Sequence, residues 1–279
     1  MAERNRDDDD RNDDDRDERP ARPRRRDDDD RPRSVPNKSN TLVILLVVGG
    51  VFGLFAIGCG GVMIGLLLPA VQKVREAAAR AQDQNNMRQI AIGMLSLESA
   101  NRKWVVPYAI DSQGVTQTGN SFRVSLLPYM EQDAVYRAID LTQPWDSVRN
   151  APQTRLVISQ YQLVDDKPTQ SNTTPYRAFV GGGAMFEADG KPVTFSSIKD
   201  GTSNTIMMVQ AAEQVPWAKP QELPYSKTTP LPKFGSPRTP AGFNVMMADG
   251  SVRFVKSTIS EQNMRNAIEK ADGNMVNLD

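Results

Sequence analysis

Asp200-Gly201-Thr202-Ser203-Asn204 gathers oxygen-bearing groups into one tight loop, a set of hard ligands that calcium takes. Asp200 and Asn204 are the calcium candidates there. The plainer reading is an Asp-Gly turn whose side chains bond their own backbone, which needs no cofactor. A second Asp-Gly, Asp249-Gly250, stands between two apolar runs. Gly181-Gly182-Gly183 would let a backbone approach a phosphate, but no Gly-Lys-Ser/Thr follows, and a turn at a strand end accounts for it. The chain has no histidine, and Cys59 is its one cysteine, set in an apolar run. Ser-His and Cys-His nucleophiles and imidazole metal sites are thereby excluded. Ser-Lys or paired-carboxylate catalysis needs a spacing that nothing here singles out, so no enzyme is expected. Trp104, Trp145 and Trp217 with Tyr129, Tyr176 and Tyr225 are aromatics that either line a ligand groove or anchor the core.

The elements that must position these residues begin with a charged tail. Residues 1–40 are dominated by Asp and Arg in blocks, such as Asp7 to Asp10 and Asp27 to Asp30 alternating with Arg24 to Arg26. With almost no apolar side chains to bury, that tail cannot offset its ordering entropy and is expected to be disordered. Over the whole chain 34 basic residues balance 34 acidic ones, and no basic-aromatic stripe follows the tail, so a nucleic-acid partner is not expected.

Residues 41–71 carry no charged side chain. A helix crosses a bilayer with about 20 apolar residues, so one transmembrane helix is expected. Arg22, Arg24, Arg25, Arg26, Arg31, Arg33 and Lys38 precede it, against Lys73, Arg75, Arg80 and Arg88 after it. That bias orients the N-terminus to the cytoplasm and places residues 72–279 in the periplasm or outside the cell. Ala56-Ile57-Gly58-Cys59 loosely matches a lipoprotein cleavage box, but its leader is too long and the apolar sequence runs on past the cysteine. Gly49 with Gly53, Ala56 with Gly60, and Gly61 with Gly65 form small-xxx-small pairs, which make self-association within the membrane a hypothesis.

Past Pro69, apolar residues Val71, Val74, Ala78, Ala81, Met87, Ile90, Met94 and Leu97 step by three and four, the stripe of a helix that continues outward. Glu76 and Arg80 sit at favourable four-residue spacing. From Trp104 onward, short apolar runs alternate with Gly, Pro, Asn and Asp, the texture of strands and loops. Tyr176 to Val180 and Thr205 to Val209 read as buried strands. Phe243 to Ala248, Asp249-Gly250, and Ser251 to Val255 read as a hairpin on a two-residue type I′ turn. Ser260 caps a last helix whose Met264, Ala267, Ile268 and Ala271 share a face, with Gly273 past its end. Pro216 to Pro240 is a long surface excursion. The fold class is therefore α+β, a long N-terminal helix packed on an antiparallel β-sheet.

Leu66 to Arg80, Asn85 to Ile90, Leu126-Leu-Pro-Tyr-Met-Glu-Gln132, Pro144-Trp-Asp146, Asp200 to Thr205 and Ala248 to Phe254 together resemble a family of bacterial pilin-like proteins. That family carries a domain of unknown function and a motif of His, nine residues, then Asp-Gly. The resemblance runs from about residue 41 to the C-terminus. Through its likeness to type II secretion pseudopilins it implies a membrane-anchored helix and an external sheet domain. Aligned with the usual prepilin start, the cleavage-site Gly falls on Ser39, the Phe on Asn40 and the Glu on Ile44, so neither the peptidase signal nor the pilin glutamate is present. Thr239 occupies the motif histidine position. The expectation is a non-enzymatic, single-pass envelope protein whose partners are the membrane, a second copy and other envelope proteins. The alternative is an envelope-anchored glycan or solute receptor using the Pro216 to Pro240 face.

Overall fold

The computed structural model describes residues 38–102, 108–110, 116–164, 171–188, 191, 193–237 and 239–278. The charged tail up to residue 37 and Trp104 lie outside them. The chain divides into two compact units, Met1–Gly61 and Val62–Asp279.

The longest element is α1, Lys38–Asn101, 64 residues that run through Pro69 without ending. In the first unit its stretch Asn40–Cys59, 20 residues with a mean hydropathy of 2.7, is long and apolar enough to cross a membrane and buries none of its length.

The second unit begins with the remainder of α1. A small hairpin follows, β1 (Tyr108–Ile110) and β2 (Thr116–Ser121), then the short helix α2 (Phe122–Leu126). Ser121 caps α2 by accepting from the Arg123 N–H. A 3-10 turn over Leu127–Met130 leads to α3 (Asp133–Ala138) and α4 (Ala151–Thr154). The main strands are β3 (Thr173–Arg177), β4 (Phe179–Val180), β5 (Ile206–Pro216), β6 (Leu223–Pro224), β7 (Gly242–Met247) and β8 (Val252–Lys256), and α5 (Glu261–Ile268) closes the order. Strands β3-β5-β7-β8 form an antiparallel four-stranded sheet, and β4 and β6 pair in parallel beside it. Pro175, which has no N–H for a ladder, lies on the edge strand β3 at a register shift, where a proline is tolerated.

Each face of the sheet has its own core. On one, Met87, Ile90, Ala91, Met94 and Leu97 of α1 join Phe122, Leu126, Tyr161, Tyr176, Met208 and Met246. On the other, Val209, Phe243, Val245, Met247 and Val255 join Met264, Ala267 and Ile268 of α5. Alternation along β7 explains the split: Phe243, Val245 and Met247 point one way and Met246 the other. A register shift between Ile206 and Met208 breaks this alternation in β5 and gives both Met207 and Met208 to the α1 side.

Three sequence expectations need correction. The α1 stripe begins later than its apolar spacing implies: Val71 and Val74 are 45% and 68% exposed, and the buried face starts at Ala79 and takes in Asp83 and Asn86 before Met87. The hairpin turn is a three-residue loop, Ala248-Asp249-Gly250, closed by the Gly250 N–H to the Met247 carbonyl at 2.9 Å. Gly250 alone adopts a positive φ, +84°, so the loop is not type I′, which requires both central residues there. Finally, α5 stops at Ile268 because Glu269 is drawn into an extended bridge with Ala184, which leaves Ala271 exposed beyond the helix.

Candidate functional site

The two Asp-Gly motifs, distant in sequence, meet in space. The Ala248 N–H donates to the Thr205 carbonyl at 2.8 Å and the Asp249 N–H to the Thr202 carbonyl at 3.1 Å. Asp249 Oδ1 accepts the Ser251 N–H at 2.8 Å. Gly250 lies under α1, where a Cβ would stand 2.8 Å from Leu95 Cδ1. The motif thus lets the hairpin tip approach the helix more closely than any larger residue would allow.

Asp200 faces the C-terminal segment. Its Oδ2 accepts the Asp272 N–H at 2.7 Å and its Oδ1 the Gly273 N–H at 2.9 Å. The Asn204 amide donates to the Asp200 carbonyl at 3.0 Å, and Gly201 gives its carbonyl to the Asn204 N–H and the Thr205 hydroxyl. The loop ties residues 270–273 to the start of β5, and both Asp200 carboxylate oxygens serve in that tie. Thr239, at the motif histidine position, is buried in a turn that donates its N–H to Ser236 and accepts from Gly242 at the entry to β7. Gly181, Gly182 and Gly183 all have positive φ, and a Cβ on Gly182 would lie 2.6 Å from the Tyr225 carbonyl oxygen, so the triple glycine is a close-packed turn. Along α1, a Cβ added at Gly49, Gly53 or Gly65 would meet no atom within 4 Å beyond the helix's own backbone, while the surroundings of Gly61 lie outside the described residues.

Two buried polar clusters have no local sequence signal. In the first, the fully buried Arg123 pairs with Glu222 at 2.7 Å and donates to the Tyr176 carbonyl at 2.7 Å and to Ser121 Oγ at 2.7 Å. Glu222 also accepts the Ala178 N–H at 2.7 Å, and Arg177 donates to the Glu222 carbonyl at 3.1 Å. Burial lowers the Arg177 pKa, against the carboxylates of Glu222 and Glu213. The second cluster joins α1 to the sheet. Tyr176 OH donates to Asp83 Oδ1 at 2.9 Å, as does the Val164 N–H at 3.0 Å, while Asn86 donates to the Ser159 and Gln162 carbonyls. Burial, and then the Asp83 charge, pushes the Tyr176 hydroxyl well above its usual range.

The aromatics divide between core and surface. Trp217 is buried, stacks on Tyr161 at 5.8 Å and donates its ring N–H to the Leu156 carbonyl. Tyr225 donates to Glu269 at 2.8 Å, and Lys227 holds the other oxygen of that carboxylate at 2.6 Å. Tyr129 is 39% exposed.

Within the proline-rich excursion lies a groove of about 410 Å³. It is lined by Pro230 to Phe234 together with Phe243, Ser257, Ile259, Glu261 and Met264. Two of its lining rings belong to an aromatic chain in which Phe234 meets Phe243 at 4.9 Å and Phe179 at 5.9 Å. Arg265 secures the excursion by donating to the Ser226 and Thr229 carbonyls at 2.9 and 2.6 Å.

Residues 72–164 match the model of a family described as a protein of unknown function, DUF1559. The match takes in the sheet-facing part of α1 and the Leu126 to Gln132 segment, and stops before both Asp-Gly motifs. No curated protein and no solved structure matches the chain.

Proposed function

We propose that this chain is a non-enzymatic, single-pass component of the bacterial cell envelope, with its N-terminus in the cytoplasm and a pilin-like domain over residues 72–279 outside. The observation that carries this reading is α1 itself. One uninterrupted helix holds an apolar stretch long enough to span a bilayer and, farther along, the residues that complete the core on one face of an antiparallel sheet. A helix used in this way is a means of fixing a domain to a membrane, and a structural or interaction role follows. Loss of the prepilin cleavage and glutamate positions argues for a permanent anchor over a processed pilus subunit. Cross-linking of whole cells is the test. Ladders that shorten when Gly49 and Gly53 are both replaced by leucine support association through the span, and a monomer insensitive to that change counts against it.

A second reading, an envelope-anchored receptor, is favoured by the groove beside Pro230 to Phe234, within the face singled out in the sequence. Its apolar lining suits a hydrophobic solute better than a glycan.

A further inference from the structure

A second cleft, of about 330 Å³, lies where α1 meets the 3-10 turn, lined by Gln89 and Ile92 of α1, Tyr129, Met130 and Glu131 of the turn, and Gln160. Its chemistry differs from that of the apolar groove. Met130 forms a fixed floor, buried, in contact with the Tyr161 hydroxyl and seated where Gly93 leaves room for it. Tyr129 and Ile92 are exposed beside it at 39% and 61%. Among the described residues, the side chains of Gln89, Tyr129 and Glu131 make no hydrogen bond or ion pair, and the Gln160 amide oxygen accepts from Ser159 Oγ at 3.0 Å, which leaves its nitrogen as a donor.

Glu131 also sits where a glutamate is costly. It ends the 3-10 turn at φ +62°, ψ +22°, a left-handed conformation that glycine adopts without penalty. A larger residue held in that region points to use of its side chain.

We propose that this cleft binds a neutral, hydroxyl-rich ligand, a glycan. Tyr129 supplies the apolar face on which a sugar ring stacks, and Gln89, Glu131 and Gln160 supply the donors and acceptors for its hydroxyls. The lining contains no cationic side chain, so a phosphate or uronic acid has nothing to neutralise it. The volume suits a few sugar units of a longer chain. This assignment rests on the receptor reading and gives the glycan to the α1 face, where the sequence expectation had the proline-rich face.

The test uses the full chain in nanodiscs, free of glycosidic detergent, titrated by calorimetry with maltohexaose, cellohexaose, xylohexaose and chitohexaose. Saturable binding of one of these is expected, weakened about tenfold or more by Tyr129→Ala and by Glu131→Gln. Glu131→Gly is expected to lose binding while raising the melting temperature, a combination that a purely structural role does not produce. Binding that survives Tyr129→Ala and Glu131→Gln overturns the cleft and leaves the receptor reading standing. Absence of binding to all four sugars overturns the inference outright, as does preferential binding of a lysine-rich peptide, which Glu131 and Tyr129 would hold as a cation.

Discussion

At the scale of the residue, the second unit depends on polar groups that only distant partners make tolerable. Arg123 is buried in the first turn of α2, while Glu222 arrives from the excursion before β6. Removing one partner of such a pair strands the other. Arg123→Ala is expected to cost about 3–5 kcal/mol by denaturant unfolding, whereas Arg123→Met with Glu222→Leu recovers most of that loss. A single variant within about 1 kcal/mol of wild type contradicts this account. Tyr225 gives a pH-dependent counterpart. Burial, then its bond to Glu269, raises its pKa from 10.0 to about 12. A raised folded-state value means that the native state holds the proton more tightly. The associated stability is therefore complete below pH 10.0 and is lost as pH rises through about 12. The stability difference between wild type and Tyr225→Phe is expected to stay constant up to the lower value and shrink between the two, and a flat difference across that window refutes the linkage. Little of this is legible in the sequence. An isolated Arg or Glu in a polar stretch reads as surface, because its partner lies 99 residues away and no local pattern encodes that distance.

At the scale of the element, α1 shows what periodicity reveals and where it misleads. Met87, Ile90, Met94 and Leu97 stand at helical spacing and are all buried. Val71 and Val74 keep the same spacing and remain exposed, since apolar residues at helical intervals record a stripe without recording how far the covering sheet extends. Met94→Ala is expected to destabilise the domain by about 2–5 kcal/mol, while Val74→Ala changes it by less than about 0.5 kcal/mol. Equal effects at the two positions would restore the longer stripe. The central strands are legible because β5 and β7 are apolar runs bounded by turn residues, and Ser260 is legible as a cap because it precedes an apolar helical stripe; in the structure its hydroxyl accepts the Asn263 N–H at 3.2 Å. The hairpin loop was readable in place but not in type: Asp-Gly marks a turn, while the bond from Gly250 to Met247 sets its length. The two Asp-Gly motifs stood out singly, yet their docking through Thr202 and Thr205 is a property of the sheet order. The cleft beside Tyr129 had only the unexplained segment Leu126 to Gln132 as its signal.

At the scale of the whole molecule, the proposed arrangement is an exported domain tethered through a cytoplasm-in span. Cys59 is the one cysteine and lies in the apolar stretch, so Cys59→Ala gives a background free of competing thiols. Into it go Val148→Cys, at a side chain 96% exposed in the second unit, and separately Ser34→Cys in the charged tail. The decisive measurement is labelling of these two variants in intact and lysed cells with a maleimide that cannot cross the cytoplasmic membrane. Position 148 is expected to react in intact cells, after outer-membrane permeabilisation where an outer membrane exists, and position 34 only after lysis. Reaction at position 34 in intact cells, or protection of position 148 until lysis, would contradict it.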